Sequence, residues 1–276
     1  MQTKLPYPLI ALDLDGTLTN HDKVITPDTL KALHHAQDEG ATLVIASGRP
    51  TFGIKPLIHE LEMDTRGGYI LSYNGGRIVD TVSREVLYKQ RLPSEVLPVL
   101  YQYAKEHQHA LLGYIGPDII TEMPDDKYAK EEEFTNKMTL RRVPSLLEAL
   151  EPHPSKLLMT GDPEQMVVAE KALNEQLGDQ MDIFRSAPYF LELVPKGVDK
   201  AHTLQRLLEI KGLTREQVIA FGDGYNDLSM ILFAGMGVAM GNGVPEVKEK
   251  ADYVTLSNEE DGIAAALYHF GLSQPE

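Results

Sequence analysis

The sequence predicts an α/β protein: a Rossmann-like, doubly wound parallel-sheet core interrupted by an inserted α+β cap domain. Three observations carry that prediction. Short apolar runs alternate with helix-like segments at both ends of the chain, the pattern of a parallel sheet covered by helices. In the middle the strand-like runs come in pairs, the pattern of an antiparallel unit. And the first apolar run, "LIALDLDGTLT", stops on two carboxylates where a buried strand ends.

The elements follow in order. Leu9 to Leu14 reads as a buried strand, and Thr26 to Glu39 as a helix opened by Thr26-Pro27-Asp28. Ala41 to Ala46 is a second strand, Thr51 to Leu61 a second helix and Tyr69 to Ser72 a third strand. Asn74-Gly75-Gly76 then makes a tight turn into Arg77 to Asp80. The middle pairs Ala110 to Ile115 with Ile119 to Met123, and Met181 to Arg185 with Phe190 to Val194. Helical stretches at Ser94 to Gln108 and Pro163 to Leu177 lie between them. After Val194 the alternation resumes with helix Lys200 to Lys211, strand Val218 to Phe221 and helix Asp227 to Ala234. Strand Gly237 to Met240, helix Pro245 to Lys250, strand Tyr253 to Leu256 and helix Gly262 to Phe270 complete it. The core is therefore assigned to 1–82 and 190–276, and the cap to 83–189. Glu131-Glu132-Glu133 reads as a solvated helix face, and His107 and His109 as solvated side chains.

Composition narrows the function. With 276 residues, 42% hydrophobic and 24% charged, the chain is an ordinary globular protein with room for a large core. A formal charge of -15 argues against a nucleic-acid backbone as partner. The absence of cysteine removes disulfides, thiol nucleophiles and thiolate metal sites. No apolar run is long enough to cross a bilayer, and Met1 to Pro8 lacks a basic-then-apolar leader pattern. The expectation is a cytoplasmic protein, without nucleic-acid or membrane partners, monomeric or homodimeric.

In open parallel sheets ligands bind beyond the carboxyl ends of the strands. Those ends carry Asp13 and Asp15, Ser47, Asn74 and Asp223, with Lys200 at the start of the helix after the insertion. Carboxylates, a hydroxyl and one ammonium suit a hard oxygen-loving cation and a phosphate group. Any one of these residues alone is explained as a strand end, a helix cap or a turn. Their joint placement at strand ends is not.

The motifs "DLDGT" at Asp13 to Thr17, "ASGR" at Ala46 to Arg49, Lys200 and "GDGYNDLSM" at Gly222 to Met230 resemble the haloacid dehalogenase-like (HAD) hydrolases. "SYNGG", "SAPYFLELVPKGVDK" and the insertion resemble, more narrowly, the Cof-type sugar-phosphate phosphatases with a class IIB cap. The resemblance implies a Mg²⁺-dependent phosphatase of small phosphorylated metabolites, sugar phosphates first. It implies Asp13 as nucleophile, forming an aspartyl-phosphate, and Asp15 as general acid, then base. Two residues apart on an extended strand, both side chains share one face. By the same resemblance Leu14, Ser47, Gly48, Lys200 and Asn226 hold the phosphoryl group. Asp13, the Asp15 carbonyl and Asp223 hold Mg²⁺, while Asp227, Arg49 and Asn74 support the site. Tyr114, Asp118, Tyr128, Lys130 and Tyr189 are the candidates for substrate contacts in the insertion, though a packing or surface role is the plainer reading of each. Two alternatives share the nucleophile: a phosphomutase or phosphotransferase, and a non-catalytic regulator in which Asp13 merely accepts phosphate.

Overall fold

The computed structural model describes residues 5–150 and 153–274. Met1–Lys4, half of the stretch read above for a leader, lies outside them. Fourteen strands are described along the chain: β1 (Leu9–Leu12), β2 (Thr42–Ala46), β3 (Gly68–Ser72), β4 (Arg77–Asp80), β5 (Val86–Lys89), β6 (Ala110–Ile115) and β7 (Asp118–Thr121). They continue as β8 (Thr139–Arg142), β9 (Leu157–Thr160), β10 (Met181–Ala187), β11 (Phe190–Pro195), β12 (Val218–Gly222), β13 (Met236–Ala239) and β14 (Tyr253–Val254). One sheet runs β14-β13-β12-β1-β2-β3-β4-β5 and the other β10-β11-β9-β6-β7-β8.

The first sheet is parallel from β14 to β3, and β4 turns back antiparallel on β3. Its central strands, LIAL in β1 and VIAFG in β12, are buried along their whole length. That is the continuous apolar run expected of a strand covered on both faces. Helix Lys200–Lys211 packs Leu204, Leu207 and Leu208 into the cluster that contains Leu9, Ala11, Val218 and Ala220. Helix Pro27–Asp38 starts on proline, whose fixed φ and missing N–H suit a first helical turn, and buries Ala32, Leu33 and Ala36. β1 ends two residues earlier than the apolar run suggested. The Asp13 N–H still reaches the Phe221 carbonyl, but the Leu14 carbonyl turns to accept from Thr19.

The second sheet is mostly antiparallel. Leu111, Leu157, Met159, Leu191 and Leu193 form a core with Val96, Leu97 and Leu100 of helix Val96–Glu106 and with Met166, Ala169 and Leu173 of helix Pro163–Leu177. Ala110, Leu112 and Leu158 pack with Ala129, from helix Lys127–Asn136, in a second cluster. Asp126 caps that helix, accepting from the Tyr128 and Ala129 N–H groups and the Thr160 hydroxyl.

The chain divides into two compact units. One takes the chain up to Gly48, Pro56–Tyr88 and the chain from Asp199; the other takes Arg49–Lys55 and Lys89–Val198. β11 falls in the second because it pairs with β9 and β10. Two expectations about the middle of the chain are corrected. Glu131 is exposed, but Glu132 is buried and accepts from the Tyr114 hydroxyl, while Glu133 accepts from the Leu140 N–H. His109 is buried too, packed beside Tyr103 and His107. In both cases one side of a polar helix or strand end is needed to cover the sheet. No described helix is long and apolar enough to cross a membrane.

Candidate active site

The site lies at the carboxyl ends of β1, β2, β3 and β12. Asp13 follows β1 directly and is buried. Gly16 takes φ +89°, and a side chain there would place its first carbon 2.5 Å from an Asp223 carboxylate oxygen. Only glycine supplies both the left-handed turn and that close approach. Thr17 donates its hydroxyl to Asp223 Oδ1 at 2.8 Å, tying the first strand end to the end of β12.

Lys200 is the first residue of its helix. Asp199 caps the helix, accepting from the His202 N–H at 2.7 Å, and Gly212 ends it in the left-handed region. A lysine at a helix N-terminus opposes the helix dipole, and this one is only 1% exposed. Two carboxylates offset that cost: Lys200 Nζ lies 2.5 Å from Asp13 Oδ1 and 2.5 Å from Asp227 Oδ1. Burial works against the ammonium, yet the Asp13 and Asp227 charges outweigh it and raise its pKa.

Asp227 closes the turn after β12. Its Oδ2 accepts from the Asp223 and Gly224 N–H groups at 3.1 and 2.9 Å, and its Oδ1 from Lys200. Both oxygens are thus engaged inside the protein. Asp223 is half-buried and its carboxyl is pushed up by burial and by Asp227, against the Thr17 hydrogen bond. Burial, then the Asp227 charge, push the Asp13 carboxyl up to about 8, with Lys200 pulling the other way.

Asp13, Asp223 and Asp227 present oxygens all within 4.8 Å of one another. Three carboxylates face one lysine, so the cluster is short of positive charge. The donor set is all oxygen, which fits a hard divalent cation. Because Asp227 is already engaged, Asp13 and Asp223 are its side chains best placed to hold one.

The remaining expected residues are distributed as follows. Ser47 follows β2 and is buried, its N–H on the Leu71 carbonyl and its carbonyl on the Asn74 N–H. Asn74, at φ 56°, lies so close to Gly48 that a side-chain carbon there would sit 2.9 Å from Asn74 Oδ1. Leu14 is buried. Asn226 is exposed, its side chain near Gly224. Arg49 belongs to the second unit, whereas Ser47 and Gly48 belong to the first. Of the candidates for substrate contacts, Tyr114 is engaged by Glu132, Asp118 by Arg141, and Tyr128 stacks on Tyr189 at 4.6 Å; Lys130 is exposed. One residue escaped the sequence reading. Lys23 Nζ lies 2.7 Å from Asp15 Oδ1, and nothing in "NHDKVI" marks that lysine except its place in a short return loop.

Residues 10–267 match the haloacid dehalogenase-like hydrolase family, and the chain belongs to it. It is 34% identical over 277 residues to the 5-amino-6-(5-phospho-D-ribitylamino)uracil phosphatase YitU of Bacillus subtilis, covering 98% of this chain and 99% of that one. A haloacid dehalogenase-like hydrolase from Bacteroides thetaiotaomicron superposes with a TM-score of 0.93 at 51% identity, covering 95% and 99% of the two chains. The subclass IIB sugar phosphatase BT4131 superposes at 0.82 with 28% identity, covering 96% and 99%. Within the family the chain is a phosphoric monoester hydrolase of the Cof-type, class IIB branch.

Proposed function

We propose that this chain hydrolyses phosphate monoesters of small metabolites, sugar phosphates first among them, using Mg²⁺ and an aspartyl-phosphate on Asp13. The observation that carries the reading is the charge imbalance at the end of β1: three buried or half-buried carboxylates against Lys200. Support for the substrate class comes from BT4131, a sugar phosphatase, and YitU, which acts on a phosphoribityl compound.

In this reading Asp13 attacks phosphorus while Lys200 holds its carboxylate by the Oδ1 contact and faces the incoming dianion. The P–O bond to the alcohol breaks as the bond to Asp13 forms. Asp15, half-buried at the rim of the turn, gives its proton to the departing alkoxide and later takes one from the water that cleaves the acyl phosphate. The Ser47 hydroxyl and the Leu14 and Gly48 N–H groups hold the transferring oxygens, with Asn226 reaching in from the turn after β12 and Asn74 keeping the Gly48 loop in shape. Asp13, the Asp15 carbonyl and Asp223 would hold Mg²⁺, while Asp227 fixes Lys200 and the Asp223 loop. When bound, the cation supplies the positive charge that lets a carboxylate approach an anionic phosphate. These groups recognise phosphate and metal only, so the choice of organic group falls to the unit inserted between Ser47 and Lys200, the 83–189 cap. We place the protein in the cytoplasm, acting on free metabolites.

The test is phosphate release from a panel of sugar phosphates, nucleotides and pyridoxal phosphate. Release from at least one hexose phosphate, abolished by EDTA and restored by Mg²⁺, is expected. Turnover that persists without metal refutes the cation site, and turnover that requires a bisphosphate activator makes the protein a mutase.

A further inference from the structure

Asp13 and Asp15 leave the same strand end, yet each carboxylate has its own lysine. The partner of Asp13, Lys200, is buried. The partner of Asp15 is Lys23, eight residues along, with Nζ 2.7 Å from Oδ1 and both side chains substantially exposed. An exposed pair of this kind contributes roughly 0–1 kcal/mol to stability, so the contact is not explained by folding alone.

The loop that presents Lys23 is tightly organised. The Asn20 N–H donates to the Val24 carbonyl, the Lys23 N–H donates to the Asn20 carbonyl, and the Val24 N–H donates to Asn20 Oδ1. Lys23 sits at φ 61°, a left-handed conformation that favours glycine or asparagine and persists at non-glycine residues when surroundings enforce it. Outside anchors hold the loop: Asn258 Nδ2 donates to the Thr19 carbonyl at 2.9 Å, and the His21 N–H donates to Glu259 Oε1 at 2.8 Å. Asn242 Nδ2 donates to the Gly16 carbonyl, and its Oδ1 accepts from the Asn258 N–H. The two walls of the Asp15 turn are thus braced from two segments, Asn242 and Asn258–Glu259, that are themselves joined by a hydrogen bond.

Lys23 counters a specific alternative. Asp15 stands two residues before Thr17, whose hydroxyl holds Asp223 Oδ1 at 2.8 Å, and Asp223 belongs to the carboxylate cluster that attracts a cation. A mobile Asp15 side chain would be drawn into that cluster once a cation was bound there. We propose that Lys23 is a positioning residue: by pairing with Asp15 it keeps that carboxyl at the outer rim, directed to the alcohol oxygen that leaves, and out of the Asp13–Asp223 cluster. This rests on the reading of Asp15 as general acid.

The experiment compares kcat/KM for an alkyl phosphate, whose alkoxide needs a proton to leave, with that for an aryl phosphate, whose phenolate does not. Both values report the step in which the leaving oxygen departs. Lys23→Met is expected to lower the alkyl-to-aryl ratio about tenfold, and Lys23→Arg to return it to within about threefold, against a ratio loss of about 10²-fold or more for Asp15→Asn. Thermal midpoints of the Lys23 variants should match the parent. An unchanged or raised ratio in Lys23→Met, or equal losses on both substrates, overturns the inference while leaving Asp15 in its role if Asp15→Asn still lowers the ratio. An Asp15→Asn protein with an unchanged ratio removes the general-acid reading itself, and the Lys23 inference with it.

Discussion

Each of the two units buries a lysine among carboxylates, and the two clusters are built differently. In the first, Lys200 touches Asp13 and Asp227, and Asp223 completes a group of three carboxylates. In the second, Lys156 lies 2.6 Å from Glu192, whose Oε1 accepts from the Ser186 hydroxyl. Glu132 accepts from Tyr114 there and feels the charges of Lys156 and Arg49. Its carboxyl is raised chiefly by burial, with those cations opposing. The second cluster therefore sets two carboxylates against the charges of Lys156 and Arg49. The first is left negative, with Asp223 only half-buried. A buried ion group with unspent charge at strand ends is a place for a ligand; one with balanced charge across a sheet face is a way to seat a helix.

The largest expected effect tests the unspent charge directly. Asp13→Asn should lower phosphate release by about 10⁴-fold or more, because an amide is not a nucleophile toward phosphorus. The variant should still fold in EDTA, since Lys200 keeps its pairing with Asp227. Residual turnover within about a hundredfold of the parent would show that another group accepts the phosphoryl.

The next effect separates the clusters. Removing one partner of a buried pair leaves the other charge unpaired and typically costs about 3–5 kcal/mol. Lys200→Met and Lys156→Met should both lose stability on that scale in denaturant titrations. Only the first should also lower kcat for every substrate; the second should change turnover only as far as it unfolds the protein. If Lys156→Met abolished turnover while remaining folded, the balanced cluster would have a part in the chemistry and the contrast would fail.

The two clusters also differed in how readable they were. "DLDGT", Lys200 and "GDGYNDLSM" place their side chains where strands end, and strand ends are visible as apolar runs stopping at polar residues. The parallel core was legible for the same reason, from β1 and β12 above all. Glu132 was misread because its neighbours Glu131 and Glu133 give the run a uniformly acidic look, and a helix of low apolar content hides which face it buries. His109 was missed because a single ring covering a sheet end leaves no periodic signal. Lys23 was missed because its partnership with Asp15 depends on a loop closing back through Asn20, and no spacing rule encodes that.

The pH responses of metal-free protein should run in opposite directions in the two units. Asp13, at about 8 in the fold against 3.8 as a model carboxyl, binds its proton more tightly when folded. Its contribution to stability should therefore fall as pH rises from about 4 to about 8. Mg²⁺ should flatten that slope, because a bound cation takes the proton's place beside Asp13. His109 behaves oppositely: burial, then the neighbouring His107, hold its ring below the usual histidine value of 6.5, with Asp126 opposing. The unfolded chain gains that proton first, so stability should be lost as pH falls below 6.5, and His109→Gln should remove this loss while leaving the Asp13 slope intact. Urea titrations in EDTA at pH 5, 6.5 and 8 on the parent, Asp13→Asn and His109→Gln read both slopes. A parent whose Mg²⁺-free stability rose steadily from pH 5 to 8, and did so equally in Asp13→Asn, would mean that Asp13 keeps an ordinary carboxylate in the fold and that the first cluster is as balanced as the second.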